Sequence, residues 1–133
     1  MTPTNPPPRV CLEPTSSGFE VIRLSDDVSV GTAIIETDDE GPWIATLCIA
    51  LEHRGYGAGS EAAWHITQHF AQQGTPRIRA WAPPDIGLAV YFWSRMGYRP
   101  VHGPGPQGGI WFERSFSPSA RSLSSRYSAL GTP

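Results

Sequence analysis

Three glycines, Gly55, Gly57 and Gly59, alternate with other residues in one short stretch that restricts the fold more than any other. The apolar run before it, residues 43–51, predicts a central strand covered on both faces, and the pattern over 60–73 predicts a helix. Glycine adopts positive φ and lets a ligand come close to the backbone. A helix begins with unpaired N–H groups at the positive end of its dipole. Strand, glycine turn and helix start together predict a site for a phosphate or pyrophosphate.

Composition excludes several other classes of protein. The 133 residues suit a single domain, and the formal charge of −2 without a basic stripe argues against a nucleic-acid partner. The chain contains no lysine, so the glycine stretch cannot be a P-loop. No apolar run approaches the about 18 residues of a membrane span, and we expect no membrane partner. Cys11 and Cys48 do not make a disulfide framework, which favours a cytoplasmic protein.

A metal site is not predicted either. His65 and His69 lie one helical turn apart, but the sequence offers no adjacent glutamate in the metalloprotease pattern and no third ligand. We therefore interpret both histidines as polar helix surface and expect no metal cofactor.

The remaining patterns predict a mixed α/β domain. Strands are expected near residues 9–12, 19–24, 29–37, 43–51, 77–81, 98–101 and 110–114, and helices at 60–73 and 86–96. The glycine-rich segment 102–109 is expected to lack regular structure. We predict a proline-rich, disordered lead over 1–17, a folded domain over 18–116 and a serine-rich, disordered tail over 117–133.

Two motifs in this order resemble those of the GNAT-type N-acetyltransferase superfamily. The first is Arg-x-x-Gly-x-Gly, at residues 54–59, after an apolar strand. The second runs from Ala89 through the aromatic pair Phe92–Trp93 to Gly97–Tyr98. The resemblance covers about residues 19–116. It implies a GNAT-like, mostly antiparallel sheet with two main helices and an acyl-coenzyme A cleft between splayed central strands.

The resemblance also implies a co-substrate, acetyl-coenzyme A, and residues that bind it. Backbone groups of Ile49 and Leu51 would pair with the pantetheine arm as a further strand does. N–H groups of the glycine loop would bind the pyrophosphate, and Arg54 would help to neutralise it. The full expected binding set is Ile49, Leu51, Arg54, Gly55, Tyr56, Gly57, Ala58, Gly59, Ser60 and Trp93.

The expected general acid is missing. Many members of the superfamily place a tyrosine four residues before the helix-ending glycine, and Trp93 occupies that position here. Tyr91 is two residues away, which rotates it by about 200° to the other helix face and makes it a weak catalytic candidate. Possible bases acting through water are Glu36, Asp38, Asp39, Glu52 and His102, none of them supported by spacing.

A second departure lies at the start of the chain. The superfamily usually places two helices between its first two strands, where they wall the acceptor site, and this sequence leaves no room for them before Phe19. We therefore expect an open acceptor side that a homodimer or a partner chain completes. Trp43, Trp81 and Trp111 are the expected aromatic anchors of that interface.

Two functions are consistent with these observations. The first is an N-acetyltransferase that moves an acetyl group from acetyl-coenzyme A to an amine of a protein, peptide or small molecule. The alternative is a non-catalytic GNAT-like module that binds coenzyme A or a protein partner.

Overall fold

The computed structural model describes residues 8–55, 57–84 and 87–116, and their side chains except at 102–104. The strands and α-helices of this part follow one another as β1 (Val10–Pro14), β2 (Gly18–Arg23), β3 (Val28–Asp38), β4 (Gly41–Ile49), α1 (Ala58–Gln72), β5 (Arg77–Ala82), α2 (Gly87–Arg95), β6 (Arg99–Pro104) and β7 (Ile110–Ser115). Two 3₁₀ turns, Leu51–His53 and Pro106–Gly108, complete the described elements.

All seven strands form one sheet in the order β1-β2-β3-β4-β5-β7-β6. Neighbouring strands are antiparallel except β4 and β5, which are parallel and are joined through α1. A parallel pair needs such a crossover, and a helix is its usual form. The predicted fold class, a mixed and mostly antiparallel sheet with two main helices, is confirmed.

The folded sheet begins earlier than the boundary predicted at residue 18. Val10–Pro14 pairs along its length with β2 and is the edge strand β1, because Val10 and Leu12 pack into the core while Thr15–Ser17 makes a tight connection. In the described chain β1 and β2 are therefore separated by three residues and no helix. Residues 1–7 and 117–133 lie outside the described part, and their predicted disorder stays a prediction.

Both helices pack on one face of the sheet. The buried side of α1 consists of small and aliphatic residues, Ala62, Ala63 and Ile66, as the helical pattern predicted. Ala63 and Ile66 meet Ile44 of β4, Phe112 of β7 and Trp93 of α2 in one core cluster. Ala62 packs in a second cluster with valines of β1, β2 and β3. The opposite face of the sheet carries no helix from the described residues, and we call it the helix-free face.

The glycine-rich segment 102–109 is more regular than predicted. β6 extends to Pro104, and a 3₁₀ turn follows at Pro106–Gly108. The indole N–H of Trp81 donates to the Pro106 carbonyl over 2.9 Å, and the Gly105 N–H donates to the Gly109 carbonyl over 2.9 Å. These bonds fix the turn against β5, so the tertiary contact overrides the low local propensity.

Candidate active site

A cavity of about 700 Å³ lies where β4 and β5 diverge. The two strands pair only through Trp43 with Arg79 and Ile44 with Ala80. Beyond Ile44 an extra residue, Ala45, interrupts the pairing of β4 with β3, and such a bulge bends the strand and increases its twist. The cavity walls come from the separated half of β4, the glycine loop, the first turn of α1, the end of β5 and one side of α2.

The edge of β4 that faces this gap carries backbone groups that β5 does not pair. The Ala50 N–H donates to Val30 on β3, and backbone groups alternate in direction along a strand, so those of Leu47 and Ile49 point towards β5. The Ile49 carbonyl accepts a 2.8 Å hydrogen bond from Nε of Arg54, which agrees with that direction. An extended amide-bearing ligand could therefore pair with Leu47 and Ile49.

Leu51, one of the expected binding residues, lies beyond the end of β4. Residues Leu51–His53 form a 3₁₀ turn, the Leu51 side chain is 76% exposed, and Leu51 does not line the cavity. The strand ends before Leu51. Because every second residue of β4 points its backbone groups towards β5, the residue that shares this direction with Ile49 is Leu47. The two-residue period of the strand sequence fits Leu47 and Leu51 equally well, so the sequence alone could not show which of them pairs alongside Ile49.

The glycine loop turns the chain from the strand into α1. Gly55 and Gly57 have φ of +103° and +89°, values that residues with a Cβ rarely adopt, and Gly57 is the N-cap of the helix. The first intrahelical bond runs from the Glu61 N–H to the Gly57 carbonyl. The N–H groups of residues 58–60 therefore precede the helix ladder, and no described side chain caps the helix.

Most of the expected loop residues lie on the cavity wall. These are Arg54, Gly55, Gly57, Ala58, Gly59 and Ser60. Tyr56 belonged to the same expected set and lies outside the described residues. An anion in this place would meet free N–H groups and the positive end of the α1 dipole.

Three arginines lie on or beside the cavity. Arg54, before the glycine turn, and Arg95, at the end of α2, both line it. Arg9 approaches from the N-terminal side, and its Nη1 is 3.1 Å from the place that a Cβ on Gly57 would occupy. The Glu61 carboxylate holds that segment by accepting the N–H groups of Arg9 and Val10 at 2.7 and 3.1 Å. Sequence reasoning singled out only Arg54, because neither Arg9 nor Arg95 lies in the loop motif.

The wall contributed by α2 is its exposed side. Leu88, Tyr91, Phe92 and Arg95 line the cavity with the i, i+3, i+4, i+7 spacing of one helix face. The Tyr91 side chain is 61% exposed, and the Arg95 guanidinium lies 5.6 Å from its ring centroid. Tyr91 lies on the other helix face from Trp93, and the cavity extends along that exposed face as well.

Trp93 meets the cavity from the buried side of the same helix. It is 5% exposed, and its ring lies 4.9 Å from those of Phe92 and Tyr98. Tyr98 itself is buried, shares a 2.6 Å hydrogen bond with the Thr67 hydroxyl and does not line the cavity. Burial raises the pKa of Tyr98 to about 12 against the opposing effect of the Thr67 bond. Tyr98 is thus a core hydroxyl, and Tyr91 is the tyrosine that the described cavity wall contains.

The described lining contains neither a carboxylate nor a histidine. Its polar side chains are Thr46, Cys48, Arg54, Ser60, Tyr91, Arg95 and the indoles of Trp81 and Trp93. The possible bases Glu36, Asp38, Asp39 and Glu52 lie elsewhere, and the side chain of His102 lies outside the described set. Asp38 instead forms an ion pair with Arg79.

Among the described residues, no group of three or more His, Cys, Asp and Glu side chains is arranged to hold a metal ion. Neither α1 nor α2 is long and apolar enough to cross a membrane.

Comparison with known families gives one extensive match. The model of the acetyltransferase (GNAT) family matches residues 4–98, which is most of the chain. A search of curated proteins gives no match.

Solved structures share the fold at low sequence identity. The GNAT-family acetyltransferase from Bacillus anthracis is 19% identical over 73% of this chain and 64% of its own, with a TM-score of 0.62. An Arabidopsis thaliana protein in complex with the bisubstrate analogue CoA-Ac-MVNAL is 20% identical over 74% of this chain and 72% of its own, with a TM-score of 0.58. The PaiA N-acetyltransferase from Thermoplasma acidophilum, in complex with coenzyme A, is 10% identical over 74% and 59%, with a TM-score of 0.62. The chain thus spans less than two thirds of the length of some of these proteins.

Proposed function

Since the chain belongs to the GNAT acetyltransferase family, we propose that it transfers an acetyl group from acetyl-coenzyme A to an amine by direct attack. The observation that carries this proposal is the cavity between β4 and β5, which combines a free strand edge with an anion-binding helix start. A ligand with a diphosphate at one end and two amides along its arm has the chemistry that these surfaces bind.

The described residues suit coenzyme A in three places. The N–H groups of residues 58–60 would bind the pyrophosphate, with Arg54 and Arg95 supplying positive charge from the cavity wall. The backbone of Leu47 and Ile49 would pair with the pantetheine amides. The apolar side chains of Leu88, Phe92 and Trp93 would cover the arm on the α2 side and exclude water from it.

The reaction joins the amine nitrogen to the acetyl carbon and breaks the carbon–sulfur bond. The nitrogen loses one proton, and the departing thiolate gains one. An N–H group on the free edge of β4 would stabilise the negative charge on the carbonyl oxygen, as an oxyanion hole does. Tyr91 is the phenol on the described cavity wall, and we assign to it the protonation of the thiolate.

Removal of the amine proton has no side-chain base in the described lining. The proton would therefore pass to water, and the enzyme would depend on the unprotonated fraction of the acceptor. Because a typical amine is mostly protonated at neutral pH, this predicts a rate that rises with pH until the acceptor is deprotonated. We place the reaction in the cytoplasm, where Cys11 and Cys48, both free thiols, would stay reduced.

The second candidate function is a non-catalytic module that binds coenzyme A or a protein partner. It is favoured by Trp93 at the position of the superfamily's tyrosine and by the lack of a carboxylate or histidine in the described lining. In this case the chain binds coenzyme A or a protein partner, and Tyr91 has no role in proton transfer.

A screen of amines distinguishes the two candidates. Acetyl-coenzyme A is incubated with the protein and with panels of small amines, peptides with free α-amino groups and lysine peptides, while free thiol is followed by absorbance and acetylated products by mass spectrometry. The acetyltransferase predicts amine-dependent thiol release that Tyr91→Phe slows. Tight binding of acetyl-coenzyme A without product from any panel would instead favour the binding module.

A further inference from the structure

The residue before β1, Arg9, is held against the start of α1 by its own backbone. Its N–H donates to a carboxylate oxygen of Glu61 over 2.7 Å, and the Val10 N–H donates to the same oxygen over 3.1 Å. The Arg9 carbonyl accepts the Leu24 N–H over 2.8 Å. Val10 is fully buried in the same core cluster as Ala58 of α1. The position of Arg9 is therefore fixed on both sides of its Cα, and these bonds remain when its side chain is changed.

The side chain of Arg9 lies at the N-terminus of α1. Its Nη1 atom is 3.1 Å from the place that a Cβ on Gly57 would occupy, and Gly57 is the N-cap of the helix and part of the cavity wall. The N–H groups of residues 58–60, which precede the helix ladder, lie at this same end of α1. The charge of Arg9 therefore adds to the positive end of the helix dipole, where an anion is favoured.

Coenzyme A carries more negative charge than the described cavity wall matches. Its diphosphate carries about two negative charges, and its 3′-phosphate carries about 1.5 to 2 more, as other phosphate monoesters do near neutral pH. Among the described residues that line the cavity, the cations are Arg54 and Arg95. Arg9 lies beside the cavity rather than on its wall, and it brings the next positive charge to the glycine loop.

We propose that Arg9 binds a phosphate at the nucleotide end of acetyl-coenzyme A. The inference rests on the proposed function, because it concerns the ligand of the same site. It extends that site from the glycine loop to the start of β1, so that an arginine 45 positions before Arg54 contributes to the same anion-binding surface. The phosphate is either part of the diphosphate or the 3′-phosphate, and the two share the chemistry that a guanidinium recognises.

Calorimetry on the full chain with acetyl-coenzyme A tests the proposal. Arg9→Gln should weaken binding by about three- to tenfold, less than the loss of Arg54, because Arg9 is exposed and its charge is screened by solvent. Arg9→Lys should recover part of the affinity, since it keeps the charge without the planar fork of the guanidinium. Arg99→Gln is the matched control, because it removes the same charge from β6 at the far edge of the sheet.

Two further titrations show which phosphate is bound and whether the effect is electrostatic. The 3′-dephospho form of acetyl-coenzyme A should bind wild type and Arg9→Gln equally if Arg9 binds the 3′-phosphate, and unequally if it binds the diphosphate. At high ionic strength the affinities of wild type and Arg9→Gln for acetyl-coenzyme A should converge. A loss caused by a displaced segment would not diminish with salt.

Wild-type affinity for acetyl-coenzyme A in Arg9→Gln would overturn the proposal. So would a loss that salt does not reduce, or an equal loss in Arg99→Gln. Circular dichroism establishes that each variant is folded. Absence of binding to the folded wild-type chain would contradict the proposed function and this inference together, whereas normal wild-type binding beside an unaffected Arg9→Gln would contradict the inference alone.

Discussion

Arg54 donates from Nε to the carbonyl oxygen of Ile49, 2.8 Å away, across the mouth of the gap between β4 and β5. The bond anchors the guanidinium through one nitrogen. Neither Nη atom has a hydrogen bond to the described residues, so both can donate to a phosphate that reaches the glycine loop. Such an arrangement lowers the conformational entropy that Arg54 loses when an anion binds.

Arg54→Gln should weaken acetyl-coenzyme A binding by about ten- to a hundredfold, the range expected for losing a hydrogen bond between charged groups. Because the loss is electrostatic, the affinity of the variant should also depend less on salt than that of the wild type. Calorimetry at two ionic strengths measures both effects. Arg99→Gln, which removes the same charge from β6, should leave the affinity unchanged; an equal loss there would point to a general charge effect.

Gly59→Val should abolish binding while the chain stays folded. Gly59 lies in the first turn of α1, and a Cβ there would meet Ile49 and Phe92 among the described residues at 3.6 and 4.0 Å, which are ordinary van der Waals distances. The added side chain would occupy the space that the pyrophosphate needs. Gly57 is less suitable, since its φ of +89° strains any substitution. Gln72→Val, on the exposed end of α1, is the control, and unchanged affinity in Gly59→Val would show that the loop does not bind the ligand.

Tyr91→Phe should lower kcat by about a hundredfold, the size expected for losing a general acid, and leave the affinity for acetyl-coenzyme A unaltered. A substrate with a better leaving thiol should lose less, since its thiolate needs no proton. Steady-state and binding measurements separate kcat from affinity. Tyr98→Phe should leave kcat unchanged, because Tyr98 is buried against Thr67. If the Tyr91→Phe variant kept its full kcat, Tyr91 would not be the general acid, and water would be the proton donor to the thiolate.

Tyr98 also makes stability depend on alkaline pH. Its pKa in the folded chain is about 12, against an ordinary value of about 10. Above the lower value the unfolded chain loses this proton and the folded chain keeps it, so the free energy of unfolding should fall between these two pH values. Tyr98→Phe should cost about 1 kcal/mol at neutral pH and remove that part of the decline. Chemical denaturation at several pH values measures both; an unchanged alkaline slope would exclude Tyr98 as the group responsible.

The sequence predicted the fold and the phosphate end of the site because both depend on local patterns. Alternating and helical apolar periods mark the strands and helices, and the glycines of residues 55–59 need positive φ in two of their three positions. Periodicity and positive φ are both set by neighbouring residues in the sequence, so the sequence alone predicts them. The cleft between splayed central strands followed from the family resemblance rather than from periodicity.

The features that the sequence did not predict depend on where strands and helices end and on how they pack against one another. Leu51 fits the strand period, but the strand stops before it. Tyr91 does turn away from Trp93, yet the cavity also extends along the exposed side of α2. That position depends on the packing of α2 against β5 and β6. The turn after β6 is ordered by Trp81, a residue 25 positions earlier. Each of these outcomes is a tertiary effect that no local pattern records.

The most direct measurement is calorimetric titration of the full chain with acetyl-coenzyme A, run beside Gly59→Val and Gln72→Val. We predict that the wild type and Gln72→Val each bind one molecule of acetyl-coenzyme A per chain, and that Gly59→Val binds none at the same concentrations. Absence of binding to the folded wild-type chain, or equal binding to all three, would contradict the assignment of the cavity between β4 and β5 as the coenzyme A site.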